Sequence, residues 1–177
     1  HGDADRTVSV EYARQMRRVL GDFHTDMSYY EYPGGSHWFG DHSVDWKPIF
    51  DFFKWHKRPL DTAVNTIDFM TASPGISSSY YRAGIQQQEH PLQYSRIKLS
   101  RKRAANSIEG TTENVRLLAF DLKDFEQDKP VKIVLDGTEA IQYTTKSGDD
   151  SLFLVKESGK WTTGLRPGLN QKGPHRY

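Results

Sequence analysis

The stretch SLFLVKESGKWTTGL, residues 151–165, decides the fold class of most of the chain. Two short runs rich in Leu, Val, Phe, Thr and Trp flank Ser158-Gly159. A two-residue loop ending in glycine between such runs is the chemistry of a tight β-hairpin, because glycine enters the left-handed backbone region without steric cost. The signal recurs upstream, where Asp136-Gly137 follows VKIVL at 131–135. Further back, VNTIDFM (64–70), SYYRAGI (79–85), SRIKLSRKR (95–103) and NVRLLAFDL (114–122) are runs of the same kind, broken by Gly, Asp, Asn and Ser. Seven or eight short strands over residues 61–165 predict an antiparallel β-sandwich. Residues 166–177 are rich in Gly, Pro and basic side chains with no apolar period, and read as a tail or linker.

Residues 1–60 follow a different pattern, alternating strand and helix. In SVEYARQMRRVLGD (9–22), Ser9 is placed to cap a helix, Ala13, Met16 and Leu20 have helical spacing, and Gly21 stands where a left-handed terminator is expected. DMSYYEYPGG (26–35) predicts a strand over Met27–Tyr32 closed by a Pro-Gly-Gly turn. DWKPIFDFFKWHKRP (45–59) predicts a second helix with Asp45 as cap, Pro48 in the first turn, and Pro59 as the stop. Its buried stripe is expected to be Ile49, Phe50 and Phe53, with Trp46 and Trp55 also at core spacing. One helix, one strand and one helix cannot satisfy a strand on both sides or cover both faces of a sheet. The expected fold class is therefore α/β plus all-β: a corner of a larger α/β domain over 1–60, followed by the sandwich.

Composition narrows the function classes. With 24 basic and 23 acidic residues in 177, the chain is nearly neutral and lacks the electrostatic footprint of a nucleic-acid binder. RIKLSRKR alternates basic and apolar residues in its first half, as a strand with one solvated face does, and its closing Arg101, Lys102 and Arg103 are candidates for contact with an anionic partner, with the solvated face as the commoner reading in a neutral chain. No cysteine is present, which removes disulfides, thiolate nucleophiles and Cys-ligated zinc. No apolar run reaches the length of about 18 residues that a membrane-spanning helix needs, and the first residues lack a basic region followed by an apolar stretch. Neither feature fixes the compartment.

The chemistry concentrates in two loops. HGDADRTV (1–8) puts Asp5 in a loop just before a helix, and GGSHWF (34–39) puts His37 just after the next strand. If the flanking strands are parallel neighbours, the helix is the crossover and both loops emerge at one sheet edge, where functional groups collect in open α/β sheets. A buried carboxylate beside a histidine fixes the imidazole tautomer and stabilises the imidazolium formed in proton transfer. Blander readings exist for the same residues. Asp5 could be a turn or capping aspartate, and His37 an exposed loop residue. His37, Asp41, His42 and Asp45 carry zinc-compatible ligands without a known zinc spacing, and His1, Asp3 and Asp5 supply too few ligands for a hard cation. Trp38 and Phe39 are placed either to wall a substrate pocket or to cover the end of the sheet. In the β-rich part, Tyr80, Tyr81, Tyr94 and Trp161 are candidates for stacking on a sugar, with core packing as their commoner use.

HGDADRTVSVEYARQM followed by YYEYPGGSHWF and a closing amphipathic helix resembles the C-terminal end of an α/β-hydrolase of the prolyl oligopeptidase type, a serine peptidase and esterase family. The resemblance covers about the first 60 residues. It implies that Asp5, three positions before Val8, is the triad acid of an HGxxDxxV motif with Gly2 as its glycine, that His37 is the triad base, that no cofactor is required, and that the substrate is a peptide or ester. Such families also carry β-sandwich accessory modules. The nucleophile is expected on a G-x-S-x-G elbow in the order Ser, Asp, His. This sequence has no such elbow, so the serine is expected from an N-terminal part of the hydrolase domain that precedes Asp5. The alternative is a non-catalytic β-sandwich module, binding carbohydrate or protein, attached to a vestigial hydrolase segment.

Overall fold

The structure, a computed structural model, describes residues 1–37, 46–123, 125–146 and 148–167. The described chain is mostly β, with ten strands in two five-stranded sheets and two α-helices, and it divides into two compact units, His1–Arg58 and Pro59–Tyr177.

In the first unit, α1 (Val10–Gly21) starts where Ser9 caps it, its hydroxyl accepting from the Glu11 amide at 3.3 Å. Gly21 is not a left-handed terminator. It is the last helical residue, and Asp22 behind it keeps right-handed geometry. The Phe23 and His24 amides both donate to the Leu20 carbonyl, so the exit needs no positive φ. The expected strand at Met27–Tyr32 reduces to a single parallel bridge, Gly2 to Tyr32. The His1 nitrogen donates to Tyr30 O at 3.0 Å, Tyr32 N to His1 O at 2.8 Å and Asp3 N to Tyr32 O at 3.1 Å. Among the described residues this pairing is an isolated parallel bridge rather than a ladder. Arg14 locks α1 to the same segment through a two-pronged contact to the Glu31 carboxylate, at 2.8 and 2.7 Å, with the Tyr29 hydroxyl as a third donor at 2.6 Å. Those donors, Arg14 first and Tyr29 next, pull the Glu31 carboxyl down to about 2.

α2 spans Trp46–Lys54 and ends well before Pro59. The Trp55 and His56 amides tighten its last turn onto Phe52 and Phe53 carbonyls, and the His56 ring caps it through Nδ1 to Phe52 O. The stripe expected to be buried is not. Ile49, Phe50, Phe53, Trp46 and Trp55 are all exposed, Phe50 by 63% and Trp55 by 81%, and neither helix has a buried residue. The reason is architectural: among the described residues this unit holds two helices and one bridge, which is no second layer for an apolar face to close on.

The second unit has its own core. One sheet runs β1 (Thr66–Thr71), β4 (Ser95–Lys102), β5 (Ser107–Glu113), β7 (Pro130–Leu135), β8 (Ile141–Thr144), and the other β10 (Lys160–Gly164), β9 (Ser151–Glu157), β6 (Leu117–Asp121), β3 (Ala83–Gln87), β2 (Ser79–Tyr80). Alternate residues of both sheets enter one cluster, with Ile97, Ile133 and Leu135 from the first and Ile85, Leu118, Phe120 and Leu154 from the second all at or near zero exposure. Both expected hairpin turns form: Asp136 and Gly137 have φ of 55° and 68°, Ser158 and Gly159 φ of 50° and 77°. Four details depart from the expectation. SYYRAGI splits in two at Tyr81, whose φ is 50°. β5 and β8 are strands at segments not expected to be strands. The sandwich is not wholly antiparallel, because β5 and β7 pair in parallel. Between them the chain crosses to the other sheet as β6 and returns, and a strand reached by two such crossings must run in its starting direction.

One carboxylate ties the two sheets together. Asp136, in the β7–β8 turn, accepts from Thr112 N at 2.6 Å, Thr112 Oγ1 at 2.8 Å and Trp161 Nε1 at 2.9 Å, with Lys156 Nζ at 3.2 Å. Burial pushes its carboxyl up, but these donors, Trp161 foremost, hold it below its ordinary value. Asp136→Ala strands four donors and is expected to destabilise this unit by about 2–3 kcal/mol in chemical denaturation, with Asp136→Asn, which still favours the left-handed turn, losing less. Equal stability of the alanine variant and wild type would contradict this network.

His56 joins the end of α2 to Asp26 at 2.6 Å. The Phe52 carbonyl, then Asp26, raise its imidazole pKa above the ordinary 6.5. A raised value means that its stabilisation is complete below 6.5 and is lost as pH rises through the folded value. In an NMR titration the His56 ring is expected to titrate above 6.5 and to move down in Asp26→Asn; a midpoint unchanged by that substitution would contradict the pair.

Candidate functional site

The site is built on a glycine contact. A Cβ on Gly2 would stand 2.2 Å from the Gly35 carbonyl oxygen, so only glycine lets these two backbones meet. The Ala4 amide donates to that same oxygen at 3.1 Å, and the Gly34 amide to Asp3 Oδ1 at 2.6 Å. These contacts lock the 1–5 turn to the 33–37 loop and bring Asp5 and His37, far apart in sequence, side by side.

His37 Nδ1 lies 2.9 Å from Asp5 Oδ2. A carboxylate only accepts, so the bonding proton belongs to Nδ1 and Nε2 is the basic nitrogen of the neutral ring. Asp5 Oδ1 accepts from the Thr7 and Val8 amides at 2.8 and 2.9 Å. The turn-capping reading and the dyad reading of Asp5 are thus both true, one on each oxygen. The Asp5 side chain is 4% exposed and that of His37 28%. Burial pushes the Asp5 carboxyl up, yet the Val8 amide, the His37 ring and the Thr7 amide together hold it below its ordinary value. The carboxylate stays charged where a charge can steady an imidazolium.

The pair opens on a cavity of about 690 Å³ walled by Val8, Tyr30, Tyr32, Ile49, Phe52 and Phe53 among others. Of the other sequence candidates, Trp38, Phe39, Asp41, His42 and Asp45 lie outside the described residues. Asp3 is engaged with Gly34, and no group of three metal-ligating side chains occurs among the described residues. Trp161 is buried in the sandwich core, which leaves Tyr80 and Tyr94 as exposed aromatics and Tyr81 packed partly against the core. On the basic strand face, Arg96 and Lys98 share Asp68 and Lys102 pairs with Glu109. No described helix is long and apolar enough to cross a membrane. Sequence reasoning set His1 aside, yet its Nε2 stands 3.7 Å from Asp5 Oδ2; only its place in the same turn pointed there.

Comparison with known proteins adds little to this geometry. No family model matches the chain, and no solved structure matches it significantly. It is 27% identical over 169 residues to a protein of Arthroderma benhamiae described as an uncharacterized secreted protein, covering 93% of this chain and 18% of that protein. The chain thus spans less than a fifth of the length of the relative it matches.

Gly2→Ala is expected to force the two loops apart and to cost this unit about 1–3 kcal/mol, as overpacking typically does. Hydrogen exchange at the Ala4 and Tyr32 amides reads it: both should lose protection, and unchanged protection would overturn the assignment of Gly2 as the residue that sets the contact.

Proposed function

We propose that residues 1–58 supply the acid and base of a serine hydrolase of the prolyl oligopeptidase type, a peptidase or esterase whose nucleophile and oxyanion donors come from elsewhere in a longer polypeptide. The observation that carries this reading is the divided use of Asp5, whose Oδ1 is fixed by two backbone amides while Oδ2 takes His37 Nδ1 at 2.9 Å. In the mechanism, His37 Nε2 removes the hydroxyl proton as serine attacks the carbonyl, and returns it to the leaving group. Asp5 holds the tautomer and stabilises the imidazolium between those steps. The substrate class, peptide or ester, rests on the sequence resemblance. That the matched relative is much longer than this chain is compatible with a nucleophile outside it. Its description as secreted favours an exported parent protein.

The alternative is a non-catalytic β-sandwich binding module. It draws support from Tyr80, 45% exposed and stacked nearly parallel to Phe69 with ring centres 6.1 Å apart, as a sugar-stacking face would be. One experiment separates the two. The longer polypeptide is treated with a fluorophosphonate probe as wild type, His37→Ala and Asp5→Asn. Wild type is expected to label, with the variants slowed by about 10³-fold or more, while residues 1–177 alone show no esterase activity above background. An unlabelled wild type favours the binding module, and equal labelling of all three removes Asp5 and His37 from the reaction.

A further inference from the structure

Asp5 faces a second imidazole. His1 Nδ1 lies 2.8 Å from the Gly2 carbonyl oxygen, which can only accept, so the neutral ring carries its proton there and turns the Nε2 lone pair toward Asp5 Oδ2 at 3.7 Å. Lone pair against lone pair makes no bond, and the separation is too long for one. A proton on Nε2 reverses this, converting the contact into a charged donor aimed at the oxygen that holds His37.

Among the described residues, the charges close to that ring are the His1 α-ammonium, which donates to Tyr30 O at 3.0 Å, and the Asp5 carboxylate. The Tyr30 and Tyr32 rings line the cavity beside His1, and α2 contributes Pro48, Ile49, Phe52 and Phe53, none of them ionisable. Asp3 is turned to the Gly34 amide, and Glu31 is held by Arg14 and Tyr29. Among the described residues, Asp5 is the carboxylate His1 faces, and His37 the cation it would compete with.

Resting on the dyad reading above, we propose that His1 is a positioning residue for Asp5: neutral, it leaves Oδ2 to His37, and protonated, it shares Oδ2 and opposes the imidazolium that the proton transfer needs.

The test is a ¹⁵N-resolved NMR titration of both rings in the 177-residue chain. The His37 curve of wild type is expected to be biphasic, with one inflection shared with His1, and to collapse to a one-proton curve in His1→Asn, whose amide can still donate to Gly2 O. A single-proton His37 curve in wild type overturns the proposal, and so does a variant curve that superimposes on the wild-type one. If His1→Asn disturbs the fold, the wild-type curve alone decides. Asp5→Asn separates the two claims: if it leaves the His37 curve unmoved, the dyad itself fails, whereas if it moves the curve and His1→Asn does not, the dyad stands and the role of His1 falls.

Discussion

Gly2 and Gly35 approach so closely that a single methyl group on the former would overlap the carbonyl oxygen of the latter at 2.2 Å. The arrangement of the N-terminal unit follows from that contact. It sets the register between the first turn and the loop after Tyr32, and the parallel bridge and the Ala4 bond to Gly35 O are its immediate consequences. Asp5 and His37 are then near because the backbones are near, and a flexible side chain need not search for its partner. A site positioned by backbone hydrogen bonds loses little entropy when it acts, which is what preorganisation means physically.

Asp5 illustrates how one carboxylate serves two ends. Its Oδ1 closes the turn on Thr7 and Val8 and so helps start α1, while its Oδ2 faces the imidazoles. Structural and chemical roles are not competing descriptions of this residue. The turn fixes the carboxylate's orientation, and the orientation makes the hydrogen bond to His37 directional.

Much of this was legible in the sequence, for reasons that differ from place to place. Asp136-Gly137 and Ser158-Gly159 announce hairpins because the left-handed backbone they adopt is specified by the residues themselves. The meeting of Asp5 with His37 was expected from two loops flanking one helix, but the sheet edge that expectation used is, among the described residues, a single bridge between Gly2 and Tyr32. What stayed hidden depends on neighbours. β5, SIEGTTE, has few apolar residues and is a strand because it lies between β4 and β7, with Gly110 pressed under the Lys98 carbonyl. Its parallel pairing with β7 is a property of the path between the sheets, which no local pattern encodes. The aromatic stripe of α2 has the spacing of a core and is exposed, because periodicity reports which face is apolar and not whether a layer lies against it. The closeness of His1 to Asp5 needed side-chain geometry that spacing alone does not give.

The most direct test of the account is the tautomer of His37 in the neutral ring, read from long-range ¹H–¹⁵N couplings in solution. The hydrogen bond to Asp5 Oδ2 requires the proton on Nδ1, and that is the predicted result. A ring protonated on Nε2 instead would contradict the central claim, since its Nδ1 could not then donate to Asp5 and its Nε2 could not act as the base.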